Sequence, residues 1–394
     1  MTIVIYKGQF QYGVVDLFID NTIKCLQDNN NKVITIDLSS QNERDNLLNI
    51  LSTEPVDCII GYNGIGSELQ MDGKSIYDIV KTRFLGIYVD HPAYHIGRLI
   101  DPIQNHLVSF IDKAHVDYVQ NILPEKHKLN FFLPHAGLEN EVNDILEFNN
   151  YKSQKDIDIV FSGTYLGEPI KEWEKIEAFP VDIIDEIIEL LVYDEYISVH
   201  GAFDKIFEKE KIKLATMAKA QLSVLMSYVI TYVRAYKRNL VLEKIFQSGL
   251  NISICGKGWE NIIEKYKNVT YMGDLNIQES IELTKRSKIT INANPNFTEG
   301  GHERVFTAML NHSVVFSDRS RYYDEYYENE KNIFYYTINT LDKDIQSLKN
   351  YIKDEKLLFD MATSAHRIMR DNHTFKHRID KIQKMIILSK SIDL

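Results

Sequence analysis

The chain has 394 residues, 44% hydrophobic and 26% charged, the balance of a globular protein longer than one core usually supports, so two domains are expected. Its 56 acidic against 45 basic residues leave a formal charge of −11, which argues against a general nucleic-acid binder. Cys25, Cys58 and Cys255 are too scattered for a disulfide framework or a metal motif, which suits a reducing cytoplasm, and the opening MTIVIYKGQF is too short an apolar run for a signal peptide.

The first half alternates apolar runs with helical patterns. Strands are predicted at Thr2–Tyr6, Lys32–Asp37, Cys58–Gly61, Phe84–Val89, Val108–Ile111 and Leu129–Leu133, and helices at Val15–Asn29, Gln41–Ser52 and Ser75–Lys81. This alternation indicates βαβ units and a parallel sheet. Near-continuous apolar runs such as DCIIGY and FLGIYV suit a sheet covered on both faces. The polar stretch Asn140–Asp156 reads as a boundary.

A second series opens at Ile157. One long helical stretch is predicted from about Pro169 to Gln247, then strands at Asn251–Cys255, Val269–Met272, Ile289–Ala293, Val314–Ser317 and Ile333–Tyr336. The most apolar helix, Leu214–Val233, has the length of a membrane span. It carries Lys219 and Gln221 inside and Lys213 and Arg234 at its flanks, and reads instead as buried. Arg234 and Arg238, one helical turn apart on one face, read as a solvated basic face, with a cleft-facing placement as the alternative. The tail His366–Lys390 is basic, with an apolar stripe at Ile379, Ile382 and Ile386. The fold class is α/β: two doubly wound, Rossmann-like domains facing across a cleft.

The chemistry concentrates at the predicted carboxyl ends of strands, where doubly wound sheets bind ligands. The segment Ile291–Asp318, INANPNFTEGGHERVFTAMLNHSVVFSD, reads as strand, Gly-rich turn, helix N-terminus, strand. Unpaired amides and the positive dipole end at such a helix start suit an anion. Gly300 and Gly301 would let the backbone approach it, and Arg304 would add a bidentate phosphate contact. Glu299, His302, Glu303 and Asn294 share the turn. Gly163 and Thr164, and Lys257 and Trp259 just after the predicted strand Asn251–Cys255, fall at comparable strand ends. In the first half, Asp90 and His91 end FLGIYV before Pro92, a position for a general base or hydroxyl ligand, and His135 in PHAG is placed similarly. His91 and His95 stand four apart, but no third ligand accompanies them, and no metal site is expected.

On FSGTY at 161–165, ICGKGWE at 254–260 and HERVFTAMLNHSVVFSD at 302–318, the chain resembles the two-domain GT-B glycosyltransferases. It looks closest to the CgeB-like (spore-maturation-type) group, whose C-terminal domain belongs with family-1-type glycosyltransferases. VDHPAYH at 89–95 and FLPHAG at 132–137 carry the likeness in the first half. The resemblance implies an acceptor-side domain over 1–150 and a nucleotide-sugar domain over 151–375 with a helical insertion at about 169–247. It implies a terminal basic helix over 376–394 packing back on the first domain, with attachment to an anionic membrane surface as the alternative. It also implies metal-independent transfer from a nucleotide sugar, UDP- in preference to GDP-linked, with no further cofactor, to an unidentified acceptor in the cytoplasm. Many relatives read R-x-F-E across the motif helix; here the Glu position is Thr307, which leaves Glu299 and Glu303 as the nearby carboxylates. An epimerase of the same fold and a silent nucleotide-sugar-binding module remain competing readings.

Overall fold

The computed structural model describes the chain except for residues 10–12, 54, 141–146, 176–179, 214–215, 294–296 and 393–394, and, within the helix from Thr216, the side chains of 216–221. It divides into two compact units, 1–134 with 216–223 and 375–394, and 135–215 with 224–374.

The first unit holds β1 (Thr2–Lys7), β2 (Lys32–Asp37), β3 (Cys58–Tyr62), β4 (Arg83–Tyr88), β5 (His106–Phe110) and β6 (Leu129–Phe132). They form one parallel sheet in the order β2-β1-β3-β4-β5-β6. Every residue of β3 and of β5 is buried, as an apolar strand covered on both faces should be. The terminal helix Phe375–Ser391 belongs to this unit. Asp380 and Gln383 accept from the Asn29 side chain at 3.0 and 2.8 Å, and Phe375 packs on Phe18 at 6.1 Å. Ile379, Ile382 and Ile386 are buried, so this stripe is spent on protein packing.

The second unit holds β7 (Ile157–Ser162), β8 (Ile252–Cys255), β9 (Val269–Tyr271), β10 (Ser287–Asn292), β11 (Val314–Ser317) and β12 (Phe334–Tyr335). The order is β9-β8-β7-β10-β11-β12, again all parallel. Strand order reverses between β7 and β10, which makes their carboxyl ends the topological switch point of this sheet.

Two sequence expectations change. The boundary stretch contains a helix, Phe148–Gln154, because the buried Tyr151 packs on Phe359 at 5.5 Å and anchors an otherwise polar segment. The stretch from Pro169 to Gln247 is three α-helices, Val181–Tyr193, Val199–Lys209 and Thr216–Gln247, with a 3₁₀ turn at Glu172–Lys175. The terminal helix expected over 376–394 is Phe375–Ser391, and the basic stretch before it ends a separate helix, Glu355–Asn372. Among the described residues no helix is long and apolar enough to cross a membrane.

Candidate functional site

Arg304 lies at the switch point of the second sheet. It stands in the first turn of the helix Glu303–Leu310, and its guanidinium ties the two diverging strands together. Nε donates to the Ser162 carbonyl at the end of β7 at 2.8 Å, and Nη1 donates to Asn292 Oδ1 at the end of β10 at 3.1 Å. Nη2 donates to no described protein atom. Arg238, 6% exposed, comes from the Thr216–Gln247 helix and donates to the Thr164 carbonyl at 3.0 Å and the Ala293 carbonyl at 3.4 Å. Both guanidiniums lie over the Phe161 ring, at 5.2 and 5.5 Å from its centroid. Two fixed positive charges, desolvated on one side by an aromatic ring, therefore face the region where a doubly wound sheet receives its ligand.

The turn before the helix is built by packing. His302 caps the helix, its Nδ1 accepting from the Arg304 amide at 3.1 Å, while its own amide donates to the Tyr323 hydroxyl at 2.9 Å. Ser320 donates to the Gly300 carbonyl at 2.7 Å. A Cβ on Gly301 would stand 2.6 Å from the Tyr323 ring and 2.8 Å from Phe306. Gly301 is thus required by the aromatic rings beneath the turn, and not, as the sequence suggests, only by an anion above it. The His302 and Arg304 amides are used internally; the Gly301 and Glu303 amides have no partner among the described residues.

Glu303 is the carboxylate set into this turn, its side chain 19% exposed. Burial works to raise its pKa, but His302, Arg304 and His135 outweigh burial and hold the group ionised, at about 2. Burial lowers the His302 pKa, with Glu303 opposing, and its Nδ1 accepts from the Arg304 amide at 3.1 Å. Glu303 Oε2 lies 3.2 Å from that same nitrogen, which cannot serve both, and this oxygen accepts no hydrogen bond. Glu299 is otherwise engaged, pairing with Arg321 at 2.9 Å. The Thr307 hydroxyl is turned inward and accepts from the Leu138 amide at 3.1 Å.

The remaining predicted residues separate clearly. Gly163 lies where a Cβ would come 3.3 Å from Arg304 Nη2, so its small size lets the guanidinium lie against the strand end. Thr164 contributes its carbonyl to Arg238. Lys257 is 74% exposed and stands 3.4 Å from Asp274. Trp259 is not a pocket wall: it is 1% exposed, packed against Phe161, Tyr165 and Phe246, and its Nε1 donates to the Gly163 carbonyl at 2.7 Å. Gly256, at φ +123°, is held there because a Cβ would stand 2.5 Å from the Gly163 carbonyl. Asn294 lies outside the described residues.

In the first unit, Asp90 is exposed at the end of β4 and accepts from Asn63 Nδ2 at 3.0 Å. His91 is buried where the sequence suggested a cleft-facing side chain: its Nδ1 accepts from the Ala93 amide at 3.1 Å, and its ring packs on His115 and Tyr118. It caps the short 3₁₀ turn that Pro92 starts. His135 is buried and belongs to the second unit, near enough to Glu303 to help hold it ionised. A Cβ on Gly137 would meet the Phe306 carbonyl at 2.7 Å, so this segment lies flush on the Arg304 helix. Among the described residues no group of three or more His, Cys, Asp or Glu side chains is placed to hold a metal ion.

Sequence reading missed the layer behind Arg304. Asn292 Nδ2 donates to Asp318 Oδ1 and to Ser317 Oγ, each at 2.9 Å. Deeper still, Lys237 and Glu195 form a buried pair at 3.1 Å. The signal was present around Lys237-Arg238: two charges in a helix among the apolar residues Val233, Ala235, Val241 and Leu242, all buried, are not a solvated face.

Burial pushes the Asp318 carboxyl up from its ordinary 3.8 to about 6, with Glu195 adding to the shift and Lys237 and Ser317 opposing it. Between those two values the folded protein keeps a proton that the unfolded chain has released. The carboxyl's contribution to stability is therefore fully present below about 3.8 and is lost as pH rises through about 6. Asp318→Asn, which does not titrate, should gain stability relative to the wild type in urea melts as pH is raised across this window. A difference that stays constant with pH would exclude the assignment.

Residues 235–384, which contain Lys237, Arg238, Asn292, the whole 299–304 turn and Asp318, match the family model described as glycosyl transferase-like. No curated protein compared with the chain is significantly similar in sequence. Among solved structures, sucrose-phosphate synthase from Thermosynechococcus elongatus superposes with a TM-score of 0.57 at 8% identity, covering 100% of both chains. The fold is GT-B. Anabaena HepE in complex with UDP-glucose shares that fold at a TM-score of 0.54 and 10% identity, over 98% of this chain and 99% of its own. An α-glucosyltransferase in complex with UDP-glucose and DNA containing an abasic site does so at 0.58 and 10%, over 98% and 99%. The GT-B likeness covers both Rossmann-like domains, whereas the family match covers most of the second unit and reaches into the terminal helix.

Proposed function

We propose that the protein is a glycosyltransferase that binds a nucleotide-diphosphate sugar at the switch point of its second domain and transfers the sugar to an acceptor without a metal ion. The observation that carries this is Arg304: it bridges Ser162 and Asn292, keeps Nη2 available, and stands beside Arg238 in the first turn of a helix. As the bond between the anomeric carbon and the diphosphate oxygen breaks, its electron pair goes to the diphosphate. Two fixed guanidiniums and the helix N-terminus stabilise that charge where it develops. The acceptor oxygen forms the new bond to the anomeric carbon and gives its proton to a base.

Glu303, ionised and with one oxygen unpaired, is assigned to a hydroxyl of the donor, the role that Thr307 cannot take. Asp90, exposed and oriented by Asn63, is assigned in the first domain as base or sugar-hydroxyl ligand. A UDP-linked hexose is the expected donor, a choice supported by the structural relatives that bind UDP-glucose. The sequence motifs support placement in the CgeB-like group.

A thermal-shift panel of UDP-, GDP-, CMP- and dTDP-sugars tests the reading, because a ligand of the native state raises its apparent stability. The expected result is stabilisation by UDP-sugars and release of UDP when an acceptor or water takes the sugar. Binding without any turnover would favour the silent module. Activity is expected to survive EDTA unchanged; if EDTA abolished it and Mn²⁺ or Mg²⁺ restored it, the metal-free mechanism would be wrong.

A further inference from the structure

We propose that Asp318 is a positioning residue: it fixes which end of the Asn292 amide faces Arg304 and thereby holds the guanidinium in its ligand-binding pose. The proposal rests on the assignment of Arg304 to the donor diphosphate and adds the device that keeps it there.

An asparagine amide has a donating and an accepting end of nearly the same shape. Only the accepting end is compatible with Arg304, which has donors alone. Asn292 is buried to 1% exposure, so water is not at hand to correct a wrong orientation. Asp318 decides the matter. Its Oδ1 receives Asn292 Nδ2 at 2.9 Å and the Ser317 hydroxyl at 3.0 Å, which leaves Ser317 Oγ free to accept from the same Nδ2 at 2.9 Å. With two acceptors on its nitrogen side, Asn292 must present Oδ1 to Arg304 Nη1, at 3.1 Å. The Tyr336 hydroxyl donates to the Asn292 carbonyl at 2.9 Å and pins the backbone of the same residue.

The carboxylate is in turn placed by its strand. Asn292 and Ser317 are register partners in the parallel pair β10–β11, so Asp318 follows directly beyond the end of β11. Behind it stands Lys237, paired with Glu195 at 3.1 Å and placed to attract the Asp318 charge. The Ile338 amide donates to Glu195 at 3.2 Å and holds the far end. Loss of the Asp318 acceptor frees the amide to turn its donor toward Arg304, where donor meets donor and the guanidinium is displaced.

The experiment is a double-mutant cycle on UDP affinity, measured by isothermal titration calorimetry. Asp318→Ala and, independently, Asn292→Ala are each combined with Arg304→Ala, and folding is checked by near-UV circular dichroism. Each single variant should weaken UDP binding about three- to tenfold, the net value of one ordinary hydrogen bond and less than the loss of the guanidinium itself. In the Arg304→Ala background neither should cost more than about twofold, since the residue they position is gone. Asp318→Asn, which keeps an acceptor oxygen and the side-chain shape, should hold affinity within about threefold. If either variant fails to fold, the other completes the cycle. Undiminished losses in the Arg304→Ala background, or normal affinity in the single variants while Arg304→Ala is weakened, would overturn the positioning role alone. Normal UDP affinity in Arg304→Ala would instead remove the assignment of Arg304 and this inference with it.

Discussion

Arg304→Ala is expected to weaken UDP binding about ten- to a hundredfold while leaving the protein folded. The guanidinium supplies a charge-assisted contact to phosphate, worth about 1.5–3 kcal/mol when its partner is ionised. Its neighbours cannot substitute. Arg238 keeps its charge near the site but directs Nε and Nη1 to the Ala293 and Thr164 carbonyls, and Lys257 is an exposed ammonium 3.4 Å from Asp274. Lysine at 304 should recover only part of the loss, because a point charge cannot donate to Ser162 and Asn292 and still reach the ligand as a planar fork does. Calorimetry with UDP is the direct measurement, and a folded Arg304→Ala protein with wild-type affinity would rule the site out. Removing the side chain also leaves the Ser162 carbonyl and Asn292 Oδ1 without this donor, so a modest fall in stability is expected alongside.

Trp259→Ala is expected to lower unfolding free energy by about 3–5 kcal/mol, the range for deleting a large buried aromatic side chain. The ring fills the space between Phe161, Tyr165 and Phe246, with centroids at 5.9, 5.1 and 6.3 Å. Its Nε1 is the donor that holds the Gly163 carbonyl, and the Gly163 amide in turn donates to the Cys255 carbonyl at 2.9 Å. The indole therefore locks the ends of β7 and β8 to each other just below Arg304. Trp259→Phe should recover most of the packing and lose roughly 1 kcal/mol with the hydrogen bond. Urea denaturation settles the matter: an alanine variant destabilised by less than about 1 kcal/mol would mean that Trp259 is not the wedge described here.

Much of the candidate site was legible because its chemistry is local. The turn Glu299–Arg304 shows its glycines, its capping histidine and its arginine within six consecutive residues, a short way beyond an apolar strand that ends at Asn292. The place of Arg304 in the first turn of a helix could be read from that order alone. His91 could not be read correctly in the same way. Asp90-His91-Pro92 spells a polar strand end in either case, and only the packing of His115 and Tyr118 shows that the imidazole turns inward to cap. KGWE is equally silent about Trp259, whose burial is decided by Phe161 and Phe246 from other elements.

What the sequence determined by itself was the alternation of apolar strands with helices, the Gly-rich strand ends and the capped start of the Arg304 helix. Each of these depends on residues within a turn or two of one another, where backbone propensity and hydrophobic period act directly. The tertiary structure alone decided strand order, and with it the switch point between β7 and β10. It also brought Ser162 to Arg304 across 142 positions and Asn292 to Asp318 across 26. Those pairings follow from parallel register, in which neighbouring strands are joined by long crossovers, so no local pattern announces which ends will meet. Burial then gave the same residue types opposite uses: it made Arg238 and Lys237 internal struts, and it left Arg304 at the edge where a ligand can reach it.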